Sequence, residues 1–173
     1  MAINSPSVLK THGYRAGAFA FVASIAVILA ALAFQYIGGY QPCPLCEMQR
    51  YAYYAAIPLL FVALVMMAAE HRTIAALIFA LVAIAFFANA GLAVYHAGAE
   101  WKFWPGPSTC AAASGELSTN AGDLLKQLEQ TRVIRCDEAA WRFLGLSFAG
   151  WNVVTSLMLG MTLAIAAART SRD

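Results

Sequence analysis

The sequence predicts an all-α membrane protein, a four-helix transmembrane bundle with one long outer loop. Of its 173 residues, 61% are hydrophobic and only 12% are charged, which is far from the composition of a soluble globular domain. Four stretches contain no charged residue, and each is long enough to cross ~30 Å of hydrocarbon at 1.5 Å per residue. A single long polar segment separates the third stretch from the fourth.

These stretches define the expected spans: Ala16–Ile37, Tyr51–Ala69, Ile74–Tyr95 and Phe143–Ala168. The first span exceeds the ~7–15 apolar residues of a secretory signal, so we expect it to be retained. Residues 1–173 are expected to form one domain, because the length is that of a single unit. Outer loops then cover about 38–50 and 96–142, and Tyr51, Tyr53 and Tyr54 are expected to anchor at the membrane interface.

The long outer loop is predicted to contain two local features. Pro105 and Pro107 exclude a continuous helix and predict an extended turn that leads to Cys110. Further on, the run Asp123–Glu129 places leucines on one face and charges on the other. This pattern predicts a short interfacial helix lying on the bilayer, or equally an ordinary surface helix packed on the bundle.

Charge distribution predicts the orientation of the bundle. A group of basic residues falls on one side of the four spans: Lys10, Arg15, Arg72, Arg169 and Arg172. The positive-inside rule makes that side cytoplasmic, so both termini are expected inside and the cysteines outside, in a compartment that permits disulfides in a bacterium. The formal net charge of +2, without a basic run, predicts no nucleic-acid partner.

A CxxC motif, Cys43-Pro44-Leu45-Cys46, lies where the second span begins. If the helix starts there, Pro44 suits its first position and Cys43 the cap before it. Free N–H groups and the positive end of the helix dipole then favour a thiolate. A zinc half-site or a static bridge is the alternative, but zinc needs four converging ligands, so no metal is predicted.

Two further polar residues are candidates near this motif. Arg50 follows Cys46 by four residues and shares its helix face, where a cation stabilises a thiolate or an acceptor gaining negative charge. The alternative for Arg50 is an ordinary interfacial side chain with its charge in the headgroups, but the spacing from Cys46 favours a functional role. His96, at the outer end of the third span, is a candidate hydrogen-bond donor to an acceptor carbonyl, with an ordinary interfacial histidine as the alternative.

The other cysteines, Cys110 and Cys136, lie in the long loop. As a static bridge they would contribute ~3–4 kcal/mol by the loop-entropy estimate. Beside a CxxC they instead suggest a thiol–disulfide relay. Electrons that enter such a relay through thiols need an acceptor. The sequence shows no haem motif, dinucleotide fingerprint or iron–sulfur ligand set that would supply one. A lipid-soluble quinone meeting Cys46 and Arg50 at the membrane edge is the simplest exit.

The combined motifs resemble the DsbB family of disulfide-bond formation proteins. The matching features are the four spans, the run CPLCEMQR from Cys43 to Arg50, the proline-rich approach to Cys110, and Cys136 followed by WRFLGL at 141–146 and Trp151. The resemblance covers nearly the whole chain. It implies a thiol:quinone oxidoreductase of the bacterial inner membrane that reoxidises a periplasmic, thioredoxin-like DsbA partner.

The resemblance also implies roles for the cysteines. The reduced partner attacks the Cys110–Cys136 disulfide at Cys110, and Cys136 then attacks Cys43. Cys46 is released as a thiolate against the quinone ring, with Arg50 supporting the charge. Ubiquinone, or menaquinone under anaerobic conditions, reoxidises the pair, and some relatives serve a dedicated substrate in place of a general oxidase.

Two other classes remain open at this point. An enzyme similar to vitamin K epoxide reductase also combines a four-helix bundle, a CxxC and a quinone, but its loop cysteines usually precede the CxxC, whereas here they follow it. A non-enzymatic membrane scaffold stapled by two disulfides is the other alternative. Quinone reduction by thiols through the purified protein separates an enzyme from a scaffold.

Overall fold

A computed structural model describes residues 11–106 and 136–172, and in these ranges it contains four long helices and a small hairpin. The helices are α1 (His12–Tyr36), α2 (Pro44–Ala68), α3 (Arg72–Glu100) and α4 (Phe148–Thr170). Strands β1 (Arg142–Phe143) and β2 (Leu146–Ser147) pair antiparallel just before α4. All four helices are long and apolar enough to cross a membrane, which confirms the predicted all-α membrane bundle.

The helices pack as a closed ring, in which α1 contacts α2 and α4, and α3 contacts α2 and α4. Large apolar side chains fill the centre, and the most buried are Leu60, Phe79, Phe86, Leu159 and Leu163. Small residues let the helices approach closely. At Gly17 in α1, a Cβ atom would lie 2.5 Å from the ring of Phe79, so glycine leaves room there for this side chain from α3.

Several helix starts and ends differ from the predicted spans. Helix α1 begins at His12 and α2 at Pro44, before the expected starts at Ala16 and Tyr51, because the expected spans stopped at charged residues that a helix can include. Helix α3 continues to Glu100, past the expected end at Tyr95. Helix α4 begins at Phe148, because the chain reverses at Leu144 and Gly145, which have φ values of 52° and 82°. Ser147 then caps α4 by accepting the N–H of Gly150. The expected short helix over Asp123–Glu129 and the loop cysteine Cys110 lie outside the described residues.

The three tyrosines of α2 do not share one environment. Tyr51 and Tyr54 are 64% and 45% exposed, as interfacial anchors should be. The prediction for Tyr53 was wrong, because its side chain is only 2% exposed and lies in the bundle core. Tyr53 falls on the helix face of Gln49, four residues earlier, and that face turns towards α3 and α4.

Candidate functional site

Helix α2 begins inside the CxxC motif, seven residues before the predicted span and at the position that suits Pro44. Cys43 is the N-cap residue, with extended backbone angles of φ −78° and ψ 163°, and Pro44 occupies the first helical turn. The sulfur of Cys43 accepts the backbone N–H of Cys46 at 3.2 Å. This position places one thiol where unpaired N–H groups and the helix dipole favour negative charge.

Both cysteines of the motif are free thiols, and their sulfur atoms lie 2.9 Å apart. The hydrogen bond from the Cys46 thiol lowers the pKa of Cys43 well below its usual value, and His96 lowers it further, while burial opposes the shift. Cys43 is buried, whereas Cys46 is partly exposed. Cys43 therefore becomes the thiolate in the dithiol state, with Cys46 as its donor.

His96 reaches the same thiol from α3. Its Nε2 atom lies 3.6 Å from the sulfur of Cys43 and 3.7 Å from a carboxylate oxygen of Glu100. The side chain is only 2% exposed, which is inconsistent with an ordinary interfacial histidine. The other oxygen of Glu100 accepts the hydroxyl hydrogen of Ser147, so the start of α4 is tied to this end of α3.

A chain of buried side chains supports His96 from behind. The amide nitrogen of Gln49 lies 2.9 Å from Nδ1 of His96, and the Asn152 amide donates to Gln49 Oε1 at 2.6 Å. The Tyr53 hydroxyl donates to Asn152 Oδ1 at 2.7 Å. Within the described ranges, no buried polar side-chain atom lacks a partner. These contacts join α2, α3 and α4 around the thiols.

A cavity of about 420 Å³ opens beside the two thiols, between α1, α2 and the start of α4. Aromatic rings form much of its wall, with Phe34 and Trp141 at 5.2 Å and Trp141 and Phe148 at 5.1 Å between ring centroids. Cys46 and Arg50 also line it. A mostly apolar hollow with a few convergent polar groups suits a flat, lipid-soluble ring such as that of a quinone.

Arg50 lies on the wall of this cavity and is held by α1. Its guanidinium donates to the side-chain oxygen of Gln35 and to the backbone carbonyl of Ala31. Cys43, Cys46 and His96 line the same cavity, so the residues predicted to bind a cofactor are together. Their contacts with a quinone stay a prediction.

Cys136 lies next to the CxxC although it is far away in sequence. It is 1% exposed and belongs to a small buried cluster with Cys43 and Leu45, against which Cys46 and Leu92 pack. Cys136 is disulfide-bonded, whereas the two cysteines of α2 are free. The fold therefore brings an existing disulfide close to a dithiol, the arrangement that exchange between them requires.

The sulfur atoms of Cys43 and Cys46 and a ring nitrogen of His96 lie within 4.8 Å of one another, close enough to suggest a metal site. A structural zinc site is closed by four ligands, and this group, found among the described residues, has three. The proximity of a cavity and a disulfide favours redox chemistry for the thiols. That this site holds no metal stays a prediction.

Sequence analysis did not single out Gln49, Asn152 or Glu100, although a signal was present for two of them. Cys46, Gln49 and Tyr53 follow a helical spacing of three and four residues, which places them on one face. Glu100 follows His96 by four residues, which also gives one face. Asn152 had no such signal, because its partner Gln49 is 103 residues away in sequence.

Comparison with known proteins identifies the relatives of this chain. A family model described as disulfide bond formation protein DsbB matches residues 14–166. Proteins named disulfide bond formation protein B are 34% identical in Methylococcus capsulatus, covering 81% of this chain and 85% of the relative, and 32% identical in Marinobacter nauticus, covering 79% and 82%. No solved structure matches the chain significantly. The chain is a multi-pass bacterial membrane protein and belongs to the DsbB family of disulfide bond formation proteins.

Proposed function

We propose that this protein is a membrane thiol:quinone oxidoreductase that reoxidises a periplasmic DsbA-like thiol oxidase. In each cycle, a partner dithiol and a quinone become a partner disulfide and a quinol, so two electrons and two protons are transferred. The observation that carries the proposal is the dithiol on the wall of an apolar cavity, with disulfide-bonded Cys136 packed in the same cluster. A static scaffold needs neither the cavity nor free thiols.

The partner side of the cycle consists of thiol–disulfide exchanges. By the family pattern, a partner thiolate attacks Cys110 in the Cys110–Cys136 disulfide and releases the Cys136 thiolate. Cys136 attacks Cys43 of the oxidised CxxC and releases Cys46. The second partner thiol displaces Cys110, which attacks Cys136 and releases Cys43. The partner leaves oxidised, and the CxxC holds the electron pair as a dithiol. The burial of Cys136 with Cys43 supports the middle exchange.

The membrane side regenerates the CxxC disulfide. A bound ubiquinone or menaquinone supplies an acceptor for two electrons and two protons. Cys43 and Cys46 release those electrons as the bond between their sulfurs forms, and Cys46 is the more exposed of the two. Arg50 and His96 supply a cation and an N–H donor on the cavity wall, where negative charge would develop.

The proposal is tested with purified protein in detergent, a reduced thioredoxin-like partner and a soluble ubiquinone analogue. Cys43→Ser and Cys46→Ser should each abolish partner-dependent quinone reduction, because the CxxC disulfide cannot form. Thr162→Ala is the matched control, since among the described residues this hydroxyl donates to the Met158 carbonyl of its own helix. Normal turnover by either cysteine variant would refute the relay.

Substitutions at Cys110 and Cys136 test the two halves of the cycle separately. Cys110→Ser should block oxidation of the partner and still let quinone oxidise the CxxC. Loss of both reactions would favour a structural bridge in the loop. In Cys136→Ala, Cys110 is left as a thiol, so it should attack the disulfide of the oxidised partner, release one partner thiolate and hold the partner as a mixed disulfide at Cys110. Isolating this adduct identifies the partner, whether it is a general oxidase or a dedicated substrate.

A further inference from the structure

We propose that Gln49 and Asn152 are positioning residues that hold His96 in one tautomer, with its Nε2–H directed at the sulfur of Cys43. Only one part of this proposal rests on the proposed function, namely the role of the Cys43 thiolate in closing the CxxC disulfide. Its geometric basis is a chain of hydrogen bonds whose donors and acceptors follow from side-chain chemistry. The chain runs from Tyr53 through Asn152 and Gln49 to His96.

The Asn152 amide is oriented by the hydrogen bonds that it makes on both sides. Two hydroxyl groups converge on its Oδ1 atom, that of Tyr53 at 2.7 Å and that of Ser156 at 3.3 Å. The Ser156 oxygen accepts from the buried Asn89 amide at 2.9 Å, so its own hydrogen is available to Asn152. A carbonyl oxygen has two lone pairs and accepts both donors. In this arrangement the amide nitrogen of Asn152 points towards Gln49.

Gln49 connects Asn152 to the imidazole of His96. Asn152 donates its N–H to Oε1 of Gln49 at 2.6 Å, which turns the Gln49 amide nitrogen towards His96. That nitrogen lies 2.9 Å from Nδ1 of the ring. An amide NH₂ group donates and does not accept, so Nδ1 is the acceptor and carries no hydrogen. A neutral imidazole with unprotonated Nδ1 carries its proton on Nε2.

This tautomer places the Nε2 proton at the thiol. Nε2 of His96 lies 3.6 Å from Cys43 on α2 and 3.7 Å from Glu100 on its own helix. Arg50 and Glu138 are further charged groups on the wall of the shared cavity. In this tautomer a neutral ring stabilises a Cys43 thiolate, the nucleophile that closes the CxxC disulfide. The opposite tautomer would direct a lone pair at the sulfur.

The tautomer of His96 is measured directly by nitrogen-15 NMR of histidine-labelled, reduced and quinone-free protein, with His96→Gln used for assignment among three histidines. We expect an unprotonated Nδ1 and a protonated Nε2 in the unsubstituted protein. Gln49→Glu should move the proton to Nδ1, because a carboxylate only accepts. Ser24→Ala removes another buried hydroxyl, one that bonds Ala20 in α1, and should leave the ring unchanged.

Asn152→Asp tests the chain without altering the direct neighbour of His96. A carboxylate at 152 accepts, so Gln49 must turn its amide nitrogen to Asp and its oxygen to the ring, which again moves the proton to Nδ1. This near-isosteric change also covers the case in which a Gln49 variant fails to fold. An unchanged Nε2-protonated ring in both Gln49→Glu and Asn152→Asp would overturn the proposal.

A second readout is the pH dependence of Cys43 alkylation. It is measured in a Cys46→Ser background, because the serine hydroxyl can still donate to the Cys43 sulfur. Gln49→Leu should raise the midpoint by about one pH unit, a roughly tenfold change in proton affinity. An unchanged midpoint would argue against a positioning role. Neither readout needs quinone, so failed turnover with the expected tautomer would refute only the proposed function.

Discussion

At the residue scale, the two cysteines of the CxxC have different environments despite their identical chemistry. Cys43 is the helix cap, is 4% exposed, and receives donors from Cys46 and His96. Cys46 lies in the first turn of α2, is partly exposed and faces the cavity. The cap position explains much of this difference, because it brings Cys43 close to the unpaired N–H groups of the first turn. This position was predictable from Pro44 at the first helical position.

This asymmetry predicts the pH dependence of the reduction potential of the CxxC. The pKa of Cys43 is lowered, chiefly by its hydrogen bond with Cys46, so the thiolate exists above that lowered pKa and is lost as the pH falls through it. Above the lowered pKa of Cys43 and through the neutral range, reduction should take up one proton, because Cys43 becomes a thiolate and the proton goes to Cys46. Equilibration with glutathione should give a slope of about 30 mV per pH unit.

A slope of about 60 mV per pH unit across the neutral range would mean uptake of two protons. Cys43 would then be a thiol at neutral pH, contrary to its surroundings. His96→Gln provides the comparison, since it removes the imidazole that contributes to the lowered pKa. In this variant the region of about 30 mV per unit should start at a higher pH.

Arg50 is a second residue for which the structure sharpens a test. Its guanidinium is held against α1 by Gln35 and Ala31 and lines the cavity together with Cys46. We predict that Arg50→Met raises the apparent KM for quinone roughly 10- to 150-fold, because a charge-assisted contact is worth ~1.5–3 kcal/mol. Steady-state kinetics with a soluble quinone analogue measure the change.

Gln35→Met is the matched control for Arg50, because it removes a contact of the guanidinium with α1 and keeps the cation. It should weaken the packing of α1 without the large change in KM. Thermal unfolding in detergent follows the stability of both variants. Unchanged quinone kinetics in Arg50→Met, together with lower stability, would identify Arg50 as an interfacial anchor.

At the scale of elements, hydropathy was sufficient for the helices and insufficient for the hairpin. Uncharged runs predicted all four spans, because a bilayer demands continuous apolar length. Strands Arg142–Phe143 and Leu146–Ser147 are too short for an alternating pattern to show, so the predicted fourth span began within them. Gly145 was the one sign of a turn at this point of the sequence, because glycine adopts positive φ values readily. Its φ in the structure is 82°.

The hairpin turn predicts opposite effects for two neighbouring substitutions. Leu144 has a left-handed φ of 52° and a side chain 78% exposed, so Leu144→Asn should stabilise the protein by ~1 kcal/mol, since asparagine tolerates this region. Gly145→Ala should destabilise it by ~1 kcal/mol, although no atom lies within 4 Å of the added Cβ.

The two variants are compared by thermal unfolding in the same detergent, using the order of the transition temperatures. The expected order is Leu144→Asn, then the unsubstituted protein, then Gly145→Ala. A loss of stability in Leu144→Asn would show that the apolar side chain of Leu144 contributes more than its backbone strain costs. The turn would then act as an apolar contact surface beside Trp141.

At the scale of the whole molecule, the site combines residues that no local pattern connects. The CxxC and Arg50 were predictable because they lie within one turn or two of a single helix. Tyr53 and Asn152 are separated by 99 positions and meet only when the bundle closes and α2 and α4 face each other across its centre. Buried polar contacts of this kind follow from the tertiary arrangement, and no spacing along the chain indicates them.

The bundle places the CxxC and the basic residues Arg72 and Arg169 at opposite ends. Helix α2 contains 25 residues, which corresponds to ~37 Å at 1.5 Å per residue. The CxxC at its start and Arg72 just after its end therefore lie on opposite sides of a bilayer. Arg169 in the last turn of α4 lies at the end remote from the hairpin and the thiols. By the positive-inside rule we expect the end with Arg72 to face the cytoplasm, which stays a prediction.

This orientation predicts which sites a membrane-impermeant thiol reagent reaches in intact cells. In a background with all four native cysteines changed to serine, Lys102→Cys should be labelled from outside, because this exposed residue follows α3 at the end with the CxxC. Arg72→Cys should be labelled only after the membrane is permeabilised. Labelling of Arg72→Cys in intact cells, with protection of Lys102→Cys, would reverse the topology. The thiols would then face the cytoplasm, where a reducing glutathione pool opposes the proposed oxidation of a partner.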